Sequence, residues 1–267
     1  MTRLGCLAVL LLLVAATAAA GQDLGARVAA APDGQVRFSY AARAGIYGDG
    51  RNTISWDCRD GRCRNRQGGG EGSYSDGDDW HSACDSGPVR VALTVRSGAV
   101  TRLRAYVGGE WRPATGAVDL GTVSTRDATA FLLALARADS RVGREAIFPA
   151  TLADSVTIWP DLLRLARDPR VHQETRKSAV FWLGQAAGAA ATRGLSDLVD
   201  DTSTDVEVKK SAVFAMSQLP HEDGVPALIR VARDNKSPGV RKSALFWLGQ
   251  TNDPRAIALF EEILTKP

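Results

Sequence analysis

The chain has 267 residues, with 33 Lys and Arg against 30 Asp and Glu, a formal charge of +3. That near balance gives no support to a dedicated nucleic-acid binder, which would usually be far more basic. Hydrophobic residues at 45% and charged residues at 24% describe a globular chain, and the length suits one or two domains.

The first twenty residues read as a signal peptide. Arg3 supplies a short positive region, residues 7–16 an apolar run, and Ala18 and Ala20 the small-residue pattern that puts cleavage after Ala20, before Gly21. The run is short for a bilayer span and no second long one follows, so no membrane span is expected in the mature chain. Cys6 precedes the run and is expected to be lost with it. The expectation is an exported, soluble protein, periplasmic or secreted. Cys58, Cys63 and Cys84 remain, and an oxidising compartment favours a disulfide. Cys84 can close onto Cys58 or Cys63, or Cys58 and Cys63 can pair across Arg59-Asp60-Gly61-Arg62, Asp-Gly being a strong hairpin signal. The odd count leaves one thiol over.

Residues 21–34 are polar and alanine-rich and read as a flexible leader. From Gln35 a period of two sets in: Val36, Phe38 and Tyr40, then Ile54 and Trp56 after the turn-rich Gly48-Asp49-Gly50. Residues 64–79, rich in Gly, Ser and Asp, read as a long loop. The clearest hairpin follows. Val89, Val91, Leu93 and Val95 point one way and Arg90, Thr94 and Arg96 the other, Ser97-Gly98 turns, and Thr101, Leu103, Ala105 and Val107 continue the apolar face. Residues 35–120 are thus expected to form a small antiparallel β-rich domain.

The period changes at Ser124, which with Asp127 resembles a capping box. Helices are predicted over 125–138, 142–157, 160–167, 171–187, 192–200, 205–218, 222–234, 238–250 and 254–265, with Pro149 kinking the second. Within them RKSAVFWLGQ at Arg176 returns as KKSAVFAMSQ at Lys209 and RKSALFWLGQ at Arg241, 33 and then 32 residues apart. Such a period marks a stacked-repeat array. The motif helix is apolar on two sides and so is expected to be buried on two sides. Ser178/Ala179, Ser211/Ala212 and Ser243/Ala244 keep it slim where neighbours approach. Gly184 and Gly249 serve as C-caps or packing room.

Each copy is followed by a second helix with a thinner apolar stripe, such as Val225, Leu228, Ile229 and Val231. Two helices per unit, with VRKSALFWLGQ followed by DPRAIALFEEIL, resemble the HEAT-like repeats first described in phycobilisome lyases. The resemblance covers about residues 125–267 and implies an α-α superhelix, a HEAT-like solenoid, joined to the β domain in an α+β chain. The second copy departs from it, with Ala215 in place of Trp182 and Trp247 and Ser217 in place of the glycine. No residues of a lyase site map onto this sequence.

Lys177, Lys210 and Lys242 hold one position in successive copies and are expected as a row of cations about 10 Å apart, one helix diameter. Arg176, Lys209 and Arg241 precede them. The row is a candidate contact for an acidic protein partner, or a solvated edge with the first basic residue bonded to Asp168, Asp201 or Asp234. Trp182 and Trp247 read as core rather than interface anchors. Cys58, Cys63, His81 and Cys84 match no common zinc spacing, and Asp76, Asp78, Asp79 and Asp85 read as solvated loop acids, so no metal is expected. His172 and His221 accompany no nucleophile elbow, paired-histidine motif or phosphate loop. No cofactor and no catalysis are expected. The function predicted is that of an exported protein–protein interaction scaffold or adaptor in the cell envelope. A small-ligand, metal or envelope-polymer binder is the alternative, and a lyase-like enzyme is the third class.

Overall fold

The period of two becomes a sheet and the period of 3.6 a double layer of helices in the computed structural model. It describes residues 23–48, 50, 57–59, 62–64, 86–111, 113–138, 141–185 and 189–265, with the backbone alone at 57–59, 62–64 and 189–191. In chain order the elements are α1 Leu24–Ala29, β1 Gly34–Tyr40, β2 Asp57–Arg59, β3 Arg62–Arg64, β4 Val89–Arg96, β5 Ala99–Val107 and β6 Val118–Thr122. There follow α2 Thr125–Ala138, α3 Arg141–Thr151, α4 Trp159–Arg167, α5 Gln173–Gln185, α6 Ala189–Asp200, α7 Val206–Ser217, α8 His221–Asp234, α9 Pro238–Leu248 and α10 Pro254–Thr265.

The main sheet has the order β5-β4-β1-β6. β1, β4 and β5 pair antiparallel, as the alternation predicts, with Val36 opposite Leu93 and Leu93 opposite Leu103. β6 pairs with β1 in parallel, Val36 opposite Val118, so the sheet is mixed. A parallel neighbour needs a long crossover, and here the connection contains the whole β4–β5 hairpin. The predicted apolar face of β5 breaks at Thr101. The register jumps from Thr94 opposite Arg102 to Val95 opposite Val100. Thr101 is the extra residue of a bulge, exposed, its hydroxyl donating to the Thr94 carbonyl at 3.2 Å.

Part of the stretch expected as a flexible leader forms α1. Leu24 and Val28, four apart on one face, are buried in the core beneath the sheet. That core also takes in Phe131, Leu132, Val142 and Ala146 from α2 and α3, so the change of period at Ser124 is not a break in packing. Phe38 meets Phe131 edge-on at 5.9 Å. The buried Tyr40 hydroxyl donates to the Pro149 carbonyl at 2.6 Å, and burial pushes its pKa well up. Backbone bonds from Arg43 to Leu152 and from Asp154 to Ala41 stitch the exit of β1 to the end of α3. This stitching, with Ala42 bridging to Ala153, also ends α3 short of the predicted residue 157.

A second core begins at Ala136 and Ile147 and runs through α4 to α10. α3, α5, α7 and α9 form one layer and α4, α6, α8 and α10 the other, each helix touching the next in its layer. Ser124 caps α2 as predicted, its Oγ accepting from the Asp127 amide at 3.0 Å. Ala179, Ala212 and Ala244 are buried at the helix contacts, where their size permits close approach. Among the described residues no helix is long and apolar enough to cross a membrane.

Candidate functional site

Each motif copy holds a lysine four residues before a phenylalanine: Lys177 and Phe181, Lys210 and Phe214, Lys242 and Phe246. Residues four apart stand above one another on one helix face. Because α5, α7 and α9 stack side by side, the pairs line up as a lysine row beside a phenylalanine row. The second apolar side of the motif is therefore not buried as the sequence predicts. Phe181 is 38% exposed, Phe246 58%, and Phe214 half-buried.

The rings form a chain across the layer. Phe148 of α3 stacks on Trp182 at 4.6 Å, and Trp182 meets Phe181 edge-on at 5.0 Å. Phe181 lies 12° from parallel with Phe214 at 6.5 Å, Phe214 contacts Trp247 at 4.9 Å, and Trp247 meets Phe246 edge-on at 5.0 Å. Offset and edge-on rings at these separations attract one another, so the strip is an ordered surface. Trp182 and Trp247 pack against the helical core from its rim, half-buried.

The lysine row is not uniformly cationic. Lys177 pairs with Glu174 at 3.0 Å and Lys210 with Glu207 at 2.8 Å, and the Lys210 ammonium holds the Glu207 carboxyl below its usual range. The third copy has Gly239 where the others have glutamate, and Lys242 is exposed and without an ion pair among the described residues. Arg176, Lys209 and Arg241 turn away from this strip. Arg176 is buried and ion-pairs with Asp205 at the start of α7, and Arg241 donates to the Asn235 carbonyl at 2.7 Å. Lys209 is buried in a cleft between the loops that precede α7 and α9.

Of the loop acids suggested as partners for these residues, Asp168 and Asp201 are otherwise engaged and Asp234 is exposed and bonds none of them; the acid that meets Arg176 is Asp205. Asp168, Asp201 and Asn235 each accept from the backbone N–H two residues on, those of Arg170, Ser203 and Ser237, at 3.1, 2.9 and 3.0 Å. The side-chain and backbone bonds from Arg170 pull Asp168 down to about 2, and those from Ser203 lower Asp201. These are Asx turns that start each motif helix.

On the outer face of the sheet Arg37 and Arg90 lie over the Trp111 ring, 5.0 and 5.1 Å from its centroid. Arg37 is held by Asp119 at 2.9 Å and Arg90 by the Gly109 carbonyl at 2.6 Å. The β2–β3 register sets Cys58 opposite Cys63. Cys84, His81 and the loop acids Asp76, Asp78, Asp79 and Asp85 lie outside the described residues, as does the N-terminal segment expected to be a signal peptide. His172 accepts from the Glu174 amide at 3.3 Å at the start of α5, and His221 begins α8. Among the described residues no cluster of His, Cys, Asp or Glu is arranged to hold a metal. The candidate surface residues that the sequence did not single out as such are Phe181, Phe214 and Phe246. Their signal was present in the K-x-x-x-F spacing of every copy.

Residues 198–267, covering α7 to α10 and the end of α6, match the family model for HEAT repeats. No curated protein matches the chain.

Proposed function

We propose, from the HEAT-repeat match over residues 198–267 and the two layers of helices that continue it towards α3, that the chain serves as an exported protein–protein interaction scaffold. The observation that carries the reading is the strip of Phe181, Phe214 and Phe246 beside Lys177, Lys210 and Lys242. Aromatic surface that is held in place loses little entropy on binding and anchors interfaces. Repeat stacks present such surface as a long, shallow face, and their usual role is binding rather than catalysis, which supports a non-enzymatic function. The exposed Lys242 marks the end of the strip that suits an acidic group on the partner. Export to a periplasm or outside the cell rests on the N-terminal Arg3, the apolar run and the Ala18-x-Ala20 pattern. It is supported by the facing register of Cys58 and Cys63, since directly opposed residues in an antiparallel pair are within disulfide reach.

The test is a crosslinking pull-down from envelope extract with three proteins. These are the wild type, Phe181→Ser with Phe246→Ser, and Lys177→Glu with Lys210→Glu and Lys242→Glu. Both variants are expected to fold. The lysine changes remove two surface pairs worth a few tenths of a kcal/mol each. A partner recovered by wild type and lost with the phenylalanine variant supports the strip, and loss with the lysine variant extends it to the charge row. Equal recovery by all three rules out this face.

A further inference from the structure

The repeats present one position in two states. In the first interface Arg176 of α5 is neutralised by the carboxylate of Asp205, the residue before α7. In the second interface the equivalent cation is Lys209 of α7, and the equivalent residue before α9 is Ser237. A serine supplies no charge. Lys209 is only 8% exposed, yet its ammonium makes no hydrogen bond or ion pair with any described residue. It lines a cleft of about 450 Å³ together with Thr202, Ser237 and Lys236, a size that takes a small ligand or the end of a peptide side chain. Ser237 makes no side-chain capping bond at the start of α9, so its hydroxyl is available, and the helix N-terminus adds a positive dipole end.

The Lys209 stem is buried while its ammonium opens into the cleft with no counter-charge among the described residues, so a carboxylate entering there gains a charge-assisted bond. We propose that this cleft binds a carboxylate group, which takes the place that Asp205 fills for Arg176 in the preceding repeat. The acids in the cleft do not serve instead. Asp200 is held by Arg230 at 2.8 Å, and Asp234 is an exposed rim residue with Lys236 close by in the lining. Asp205 supplies the template for the group recognised: one carboxylate before the motif helix, against a buried cation one helix away. The proposal stands independently of the aromatic strip.

Thermal unfolding of the full chain is followed against rising succinate, with sodium chloride at matched ionic strength as the reference. A second arm uses a short peptide with blocked termini and one aspartate. Wild type is expected to gain several degrees over the chloride reference, and Lys209→Met, which keeps the buried stem, is expected to lose that response. Ser237→Asp supplies the missing carboxylate internally, so it is expected to raise the midpoint without ligand and to abolish the response to both probes. A response to succinate identifies a free small carboxylate as sufficient. A response to the peptide alone identifies a side chain on a protein as the source. A wild type that responds to neither probe beyond chloride, variants that respond like wild type, or a Ser237→Asp protein less stable than wild type would overturn the proposal.

Discussion

Arg176 and Asp205 show how one substitution changes meaning with its partner. The Arg176 side chain is 7% exposed whereas Asp205 is half in solvent. Removing the acid therefore strands a buried charge, and removing the arginine does not. Asp205→Ala is expected to lower unfolding free energy by about 3 kcal/mol, and Arg176→Met by clearly less. Urea denaturation of both compares them, and equal losses would show that the buried guanidinium is satisfied without Asp205. The loop acids set the acid limit of stability. Asp168 has its folded pKa lowered to about 2 by Arg170, and Asp253 likewise by Arg255, against about 3.9 for an unfolded aspartate. A depressed folded pKa contributes stability above the unfolded value, and that contribution is lost as pH falls through the folded one. Stability is thus expected to decline from about pH 4 towards pH 2, and Asp168→Asn to make the decline shallower. Urea midpoints at pH 6, 3.5 and 2.5 measure it, and a variant with an unchanged slope would remove Asp168 from the account.

Two glycines at corresponding sites of α5 and α9 have different causes. A Cβ on Gly184 would come 2.7 Å from the Ala215 Cβ and 3.2 Å from its Cα, so α7 packs directly on the α5 backbone there. This explains why the middle copy carries Ala215 where the others have tryptophan, since a large ring would have no room against Gly184. Gly249 follows α9 at φ −66°, and a Cβ there meets nothing nearer than 3.4 Å. Gly184→Ala should therefore cost about 1–2 kcal/mol from overpacking, even though alanine is the better helix former by about 0.5–1 kcal/mol. Gly249→Ala should be neutral or slightly stabilising. Thermal midpoints that move together in the two variants would refute the distinction. Both glycines are legible in the sequence, but their difference is not, because it depends on which neighbour touches them. The same holds for Thr101, which continues the β5 alternation on paper and is displaced by a bulge in the sheet.

At the scale of the molecule the sheet and the first two long helices share one core, and β1 is tied to α3 through Tyr40, Ala41 and Arg43. They are expected to open together. Leu132→Ala, a fully buried change in α2, should cost about 3 kcal/mol and speed amide exchange in β1 and β4 as well as in α2 and α3. Faster exchange confined to the helices would show two independent units. Much of this architecture is legible in the sequence. The change from period two to period 3.6, the β4–β5 hairpin, the limits of most helices and the repeat of the motif at Arg176, Lys209 and Arg241 are local or self-similar properties of the chain. They follow from backbone preference and from which positions are apolar. Other features were decided by tertiary structure. The parallel pairing of β6, the burial of α1, the exposure of Phe181 and Phe246, and the contrast between neutralised Arg176 and unpaired Lys209 each depend on a partner distant in sequence. Periodicity reports which faces of an element are apolar, and packing alone determines which of those faces meets another element and which is left to meet a ligand or a partner.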